Sequence, residues 1–108
     1  TVGSVPEAMQ MVGRNRQTAI STHHDMIAIE LIAALRQAGL APGRDVPIIG
    51  YDDTSLAALP DFDLTSVNQQ AEMLGSMAMD LLQGRITNPD RPGTDVAVTP
   101  TLTIRSSA

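Results

Sequence analysis

Two short β-branched runs with one long helical segment between them constrain the fold of this chain most. The runs are TAIST, residues 18–22, and IIGY, residues 48–51. Between them, residues 26–38 (MIAIELIAALRQA) spread apolar side chains over a wide arc of the helical wheel, which predicts a helix buried on two sides. Strand, helix and strand in this order form the unit of a parallel sheet. We therefore expect an α/β fold with a mostly parallel sheet and flanking helices.

Caps, apolar stripes and turn residues predict the remaining elements. Asp25 is placed to cap the long helix, and Gly39 is placed to end it in a left-handed conformation. The others are a helix from about Ser4 to Gly13, a short helical turn at 53–60 capped by Asp53 or Thr54, a strand at 64–68, a helix at 70–86 and a strand at 96–104 broken at Pro100.

Composition excludes several functions. All seven Lys or Arg positions are arginine and there is no cysteine, which removes Schiff-base chemistry, thiol nucleophiles and thiolate metal sites. The net charge is −5, there is no basic cluster and there are only two aromatic residues, so this chain is not expected to bind nucleic acid by itself. No apolar run approaches the length of a membrane span, so no membrane partner and no signal peptide are expected.

Polar residues follow both predicted parallel strands at the point where each ends. His23, His24 and Asp25 follow the first strand, and Asp52 and Asp53 follow the second. Ligands bind beyond the carboxyl ends of the strands in such sheets, so these residues should share one edge. Asp25 and Asp53 are predicted to act as helix caps. Asp52 precedes the cap position, and we expect it and His24 to face a ligand.

Catalytic and metal-binding interpretations of these residues are weaker. His23 and His24 are neighbours on a strand and point to opposite faces, which argues against a shared zinc ion. Asp52 and Asp53 resemble a magnesium pair of phosphoryl-transfer enzymes, but the lysine that such sites normally use is absent. A Ser-His-Asp hydrolase would need a G-x-S-x-G elbow, which the chain lacks. We expect no catalytic residues, no metal and no cofactor.

The segments HDMIAI…ALRQAG, VPIIGYDD and LTSVNQ, with a helix ending LLQGRI and a Thr-rich last strand, resemble the lactose-repressor/galactose-repressor family of bacterial transcription regulators. The resemblance implies one incomplete lobe of a periplasmic-binding-protein-like (type I) fold. It also implies a non-enzymatic, cytoplasmic sensor of a small-molecule effector, either a sugar or a nucleoside-like metabolite. Operator DNA would be bound only through a domain absent from this chain.

The same resemblance assigns residues. Asp52 corresponds to the acid that binds the effector, with Tyr51 close by, and His24 stands where the family most often has Asn. Asn68 and Gln69 would rim the cleft between lobes. Residues 1–68 and 95–108 would form the second lobe, and residues 69–87 would form a helix of the otherwise missing first lobe. The apolar stripe of that helix would then need covering by a second copy, by repacking or by the missing lobe.

Family members dimerise through this lobe, so a homodimer is expected. The predicted interface residues are Ile27, Leu31, Leu35, Leu56, Leu59 and Phe62. The alternative is that these side chains only pack on the sheet of their own chain.

A sugar-binding protein of a transport system shares the architecture and remains the alternative function, ahead of a metal-dependent phosphoryl-transfer enzyme using Asp52 and Asp53.

Overall fold

The computed structural model describes residues 1–14 and 19–108. Thr18, which belongs to the first predicted strand, lies outside the described residues. The helices and strands follow one another as α1 (Val5–Arg14), β1 (Ile20–Ser21), α2 (Asp25–Gln37), β2 (Ile48–Tyr51), β3 (Thr65–Asn68), α3 (Ala71–Thr87) and β4 (Thr101–Thr103). The α/β fold is therefore confirmed.

A four-stranded sheet in the order β1-β2-β3-β4 forms the centre of the molecule. β1, β2 and β3 run parallel, whereas β4 pairs antiparallel with β3. The parallel register aligns Ser21 with Ile49, and Tyr51 with Val67. A bridge between Val2 and Thr22 extends the parallel pairing beyond β1. Because three strands run the same way, their carboxyl ends meet at one edge, as the sequence predicted.

α2 covers the sheet with one apolar stripe. Its buried residues besides Asp25 are Ala28, Leu31, Ile32 and Leu35, which recur at the spacing of a single helix face. Ile27 is half-buried and Ala38 is exposed. α2 contacts both β2 and α1, so two other elements cover it as predicted, although Ala38 at the end of the predicted arc is exposed in the isolated chain.

Gly39 ends α2 as predicted. Its φ is +77°, and its N–H donates to Arg36 O at 3.0 Å while the Leu40 N–H donates to Leu35 O at 2.9 Å. This pair of bonds satisfies carbonyls at the helix end and requires a left-handed residue between helix and loop.

Replacing this glycine tests the conformation alone, because a Cβ at Gly39 would meet no atom within 4 Å. We expect Gly39→Ala to lower the free energy of unfolding by about 1 kcal/mol, since L-residues with a side chain pay this cost in the left-handed region. Gly39→Asn should cost less, because Asn tolerates that region. Urea unfolding of the wild type and both variants measures these differences. Equal stability of the three proteins would contradict the prediction.

Two predicted elements differ from the structure. No helical turn forms at residues 53–60. Turns and a bend occupy residues 55–60, where the Ala57 N–H bonds Thr54 O and Ala57 O accepts the Leu64 N–H at 2.8 Å. That second bond ties the segment to the start of β3 instead of to a further helical residue. The last strand is also shorter than predicted, since only Thr101–Thr103 pairs, after Pro100, which lacks an N–H for the ladder.

α3 stands apart from this core. None of its residues is buried. The radius of gyration is 18.1 Å, against about 13 Å for a compact domain of this length. Among the described residues, no helix is both long and apolar enough to cross a membrane.

Candidate functional site

The edge formed by the carboxyl ends of β1, β2 and β3 carries the polar residues that the sequence singled out. Thr22 N–H donates to Ile49 O at 2.9 Å and Asp52 N–H donates to Val67 O at 2.9 Å, so the strands remain in register up to their last residues. Both chain segments then turn away from the sheet. His24 and Asp52 consequently share this edge, as predicted.

The turn after β2 has an unusual backbone. Asp52 has a φ of +105° and Asp53 a φ of +51°, in the region that L-residues with side chains seldom adopt. Each such residue costs about 1–3 kcal/mol and persists only where its surroundings hold it. Strain of this kind is concentrated at binding and active sites. The turn that carries the acid pair is thus a candidate site on backbone grounds as well.

Asp52 is half-buried and is joined to Gln69. Gln69 Nε2 donates to Asp52 Oδ1 at 2.5 Å, across the gap between the β2 turn and the end of β3. Next to it, Gln70 has a φ of +60° and its N–H donates to Asn68 Oδ1 at 2.8 Å. These contacts join the predicted acid to Gln69, whereas Asn68, the other predicted rim residue, bonds the Gln70 N–H and Asp53 instead of Asp52. An amide and a carboxylate side by side offer donors and acceptors suited to hydroxyl groups.

Asp53 does not cap a helix, so that prediction was wrong. Arg105 Nη2 lies 2.8 Å from Asp53 Oδ1, and the two side chains are 16% and 10% exposed. Thr103 Oγ1 and Asn68 Nδ2 donate to Asp53 Oδ2 at 2.8 and 3.0 Å. Asp53 Oδ1 is buried and has no hydrogen bond of good geometry among the described residues, so the arginine charge is its main compensation.

This environment sets the protonation of Asp53. Burial alone raises the pKa of the carboxyl group, but the hydrogen bonds from Thr103 and Asn68 and the ion pair with Arg105 outweigh it. The pKa of Asp53 therefore lies below its ordinary value. Asp53 is an anion that fastens β4 to the β2 turn, and it is unavailable as a ligand-facing acid.

Asp25 also has a different role from the predicted one. The N-cap of α2 is His24, in an extended conformation, and its side chain makes no capping bond. The Asp25 carboxylate is fully buried under the sheet edge and accepts from Thr54 N, Thr54 Oγ1 and Ser66 Oγ at 2.7, 2.9 and 2.5 Å. It binds two other segments of the chain instead of its own helix end.

The two remaining predicted residues lie at the surface of the same edge. His24 is exposed, and its backbone O accepts from Thr22 Oγ1 at 3.0 Å. Tyr51, the last residue of β2, is 36% exposed. In the part of the chain that the structure describes, no three His, Asp or Glu side chains are grouped so that they could hold a metal ion.

Sequence reasoning missed Thr54, Ser66 and Arg105 as partners of the buried acids. One signal was available, because Gly50 lies within a predicted strand, where glycine often marks a close approach. A Cβ at Gly50 would overlap Asp25 Oδ1 and lie 2.9 Å from Leu64 Cδ2. The glycine therefore makes room for the buried carboxylate.

The predicted interface residues fall into two groups. Leu31 and Leu35 are fully buried against the sheet of their own chain, so they have no surface left for a partner and the prediction was wrong for them. Leu56 and Leu59 are 40% and 44% exposed on the turns after β2. Ile27 and Phe62 are half-buried.

A parallel sheet with polar strand ends at one edge is the arrangement with which open α/β domains bind small molecules. A model of the periplasmic binding protein-like domain matches residues 1–108. The ribose operon repressor of Escherichia coli (strain K12) is 39% identical over 93 residues, covering 86% of this chain and 28% of the repressor.

Solved structures give the same result. A LacI-family transcriptional regulator from Enterococcus faecalis V583 with bound ribose has a TM-score of 0.86 at 28% identity, over 95% of this chain and 39% of that one. The dimeric Lac repressor with an 11-residue C-terminal deletion has a TM-score of 0.82 at 25% identity, over 96% of this chain and 40% of that one. This chain thus spans less than half the length of each of these relatives.

The chain belongs to the periplasmic binding protein-like domain family and, within it, to the effector-binding domains of the lactose-repressor/galactose-repressor regulators.

Proposed function

We propose that this chain is the C-terminal portion of the effector-binding domain of a cytoplasmic bacterial transcription regulator. It binds a sugar or nucleoside-like effector and does not turn it over, and operator DNA is bound by a separate domain of the whole protein. The observation that carries the proposal is the half-buried pair of Asp52 and Gln69 at the strand-end edge. Ribose is the first effector to test, because the Escherichia coli relative is a ribose operon repressor and the Enterococcus faecalis structure holds ribose.

In this proposal Asp52 and Gln69 bind effector hydroxyl groups, and Asn68, Tyr51 and His24 line the rim of the cleft. Hydroxyl groups donate to the carboxylate, while the Gln69 amide can donate to an effector oxygen. Binding at a cleft between two lobes shifts the balance between lobe arrangements, and those arrangements differ in affinity for DNA. An enzymatic role for the acid pair is disfavoured, since Asp53 is committed to Arg105.

The direct test is calorimetry of the full-length regulator with D-ribose and a panel of other sugars and nucleosides. We expect one panel member to bind, and Asp52→Ala to weaken its binding at least tenfold, because a hydrogen bond to a charged group contributes about 1.5–3 kcal/mol. Asp61→Ala is the control, since Asp61 is exposed. Failure of the whole panel to bind would refute the proposal, and unchanged affinity of Asp52→Ala would remove Asp52 from the site.

The lobe assignment is also a proposal. Residues 1–68 and 95–108 form the second lobe, and residues 69–87, which include α3, pack in the first lobe of the whole protein. Support comes from the complete lack of buried residues in α3 and from its exposed side chains. The large apolar residues of α3 that exceed half exposure are Met73 at 52%, Met79 at 54%, Leu82 at 52% and Ile86 at 70%.

Methionine oxidation tests this assignment. We expect peroxide to oxidise Met73 and Met79 at least fivefold more slowly in the full-length protein than in the 108-residue chain, because thioether oxidation follows exposure. Met11 on α1 is 43% exposed and serves as the control that should react at the same rate in both. Peptide mass spectrometry measures the rates. Equal oxidation of Met73 in both proteins would show that α3 has no cover in the whole protein.

The functional protein is further proposed to be a homodimer that uses the apolar side chains left uncovered beside β2. Leu56 and Leu59 are exposed, and Ile27 and Phe62 are half-buried. The similar Lac repressor structure is described as dimeric.

A further inference from the structure

Asp25 is a buried acid that the proposed effector site does not use. Its side chain is fully buried, and its two oxygens accept three hydrogen bonds, from Thr54 N, Thr54 Oγ1 and Ser66 Oγ. Thr54 belongs to the turn after β2, and Ser66 lies in β3. A buried carboxylate is costly unless it is fully satisfied, so an acid retained at such a position indicates a specific task.

The bonds of Asp25 converge on the turn that carries Asp52. Ser66 Oγ donates to Asp25 Oδ1 and accepts from the Asp53 N–H at 3.0 Å. Asp25 therefore holds the Thr54 N–H directly and the Asp53 N–H through Ser66. Together with the Asp52 N–H, which bonds Val67 O, every N–H from residue 52 to residue 54 is bonded to an acceptor in β3 or at the start of α2.

This fixation acts where the backbone is strained. Asp52 and Asp53 both have positive φ values, and such a conformation needs restraint from its surroundings. Without these hydrogen bonds, the turn would relax to more common φ and ψ values and move the Asp52 carboxylate away from Gln69. A displacement of about 1 Å is enough to spoil a binding geometry.

We infer that Asp25 is a positioning residue of the effector site, which acts through the Asp52–Thr54 turn without touching the effector. The inference rests on the proposed function, in which Asp52 binds the effector. A positioning role for Asp25 differs from a purely structural role in one testable respect. If Asp25 acts through Asp52, its removal must weaken effector binding in the presence of the Asp52 carboxylate and have little effect in its absence.

A double-mutant cycle on the full-length regulator with D-ribose tests this coupling. Asp25→Asn keeps the shape of the side chain but replaces one accepting oxygen with a donor, so it loses either the bond from Ser66 to Oδ1 or the two bonds from Thr54 to Oδ2. We expect Asp25→Asn to weaken ribose binding about tenfold in the wild-type background and less than twofold in the Asp52→Asn background. Asp61→Asn, at an exposed acid, is the control. Additive losses, or unchanged affinity with lower stability, would overturn the inference.

Amide hydrogen exchange of the effector-free regulator separates this inference from the proposed function. Asp25→Ala, which removes all three bonds, should accelerate exchange at the Asp53 and Thr54 amides at least tenfold, whereas Ser66→Ala should do so at Asp53 alone, because Thr54 keeps its direct bond to Asp25. NMR measures both amides. If ribose fails to bind the wild type, the proposed function with ribose fails, and the exchange rates still decide whether Asp25 holds the turn. Unchanged exchange in Asp25→Ala would overturn the inference.

Discussion

Gly50→Ala is expected to lower the free energy of unfolding by about 3 kcal/mol, at the upper end of the cost of overpacking a core. A Cβ at this position would overlap Asp25 Oδ1, and it would lie 2.9 Å from Leu64 Cδ2. Neither neighbour can yield cheaply. Asp25 is held by Thr54 and Ser66, and Leu64 is fully buried. The added methyl group therefore strains the core and the buried hydrogen bonds together.

Urea unfolding of wild type and variant measures this effect. The matched control is Gly75→Ala, since a Cβ at Gly75 would meet no atom within 4 Å in α3. A glycine in a helix interior is about 1 kcal/mol less favourable than alanine, so the control should be slightly more stable than the wild type. If Gly50→Ala had the same urea midpoint of unfolding as the wild type, the close approach of Gly50 to Asp25 would be disproved.

Arg105→Met is expected to destabilise the protein by about 3 kcal/mol at pH 7, because removing one partner leaves a buried charge uncompensated. Methionine retains much of the apolar stem of arginine. What it loses is the charge 2.8 Å from Asp53 Oδ1 and the bond that Arg105 Nη1 donates to Leu64 O at 2.6 Å. The effect should exceed that of any surface ion pair, since both side chains are largely shielded from water.

The dependence on pH identifies the cause. Interactions of the folded protein lower the pKa of Asp53, so its contribution to wild-type stability is present above the unfolded-state pKa and is lost as pH falls through the folded-state value. In Arg105→Met, protonation relieves the unpaired buried anion. The stability gap between the two proteins should therefore narrow as pH falls from 7 through the ordinary aspartate range near ~4.

Urea unfolding at a series of pH values measures that gap. Arg44→Met is the control, because Arg44 pairs with Asp45 at the surface and its side chain is 78% exposed. We expect no measurable change in this variant. A gap between wild type and Arg105→Met that stays constant with pH would show that the loss comes from packing or from the Leu64 bond, and not from the Asp53 charge.

Local patterns predicted the frame of the site well. The run IIGY became β2, the helix predicted at residues 26–38 became α2 (Asp25–Gln37), and Gly39 ended that helix with a positive φ. Each of these depends on neighbours within a few residues, namely apolar spacing, β-branching and turn chemistry. The strand ends met at one edge because parallel strands leave no other arrangement.

The prediction of a helical turn at 53–60 was wrong because residues outside this segment bind its polar groups. The segment has the composition of a short helix, yet Ala57 O is taken by the Leu64 N–H and Asp53 is drawn to Arg105. Competition between partners near and far in the sequence decides such short segments, and local propensity is a weak guide to the outcome. The prediction of Leu31 and Leu35 as interface residues was wrong for a similar reason, because both side chains are fully buried within their own chain.

The sequence by itself determined the order of helices and strands, the shared edge and the presence of acids at that edge, because these follow from patterns within single segments. Only the tertiary structure decided what each acid does. Asp25 bonds residues 29 and 41 positions away, and Asp53 bonds Thr103, 50 positions away. A carboxylate has the same local signature whether it caps a helix, pairs with an arginine or faces a ligand. Its role is fixed by the donors that folding brings to it.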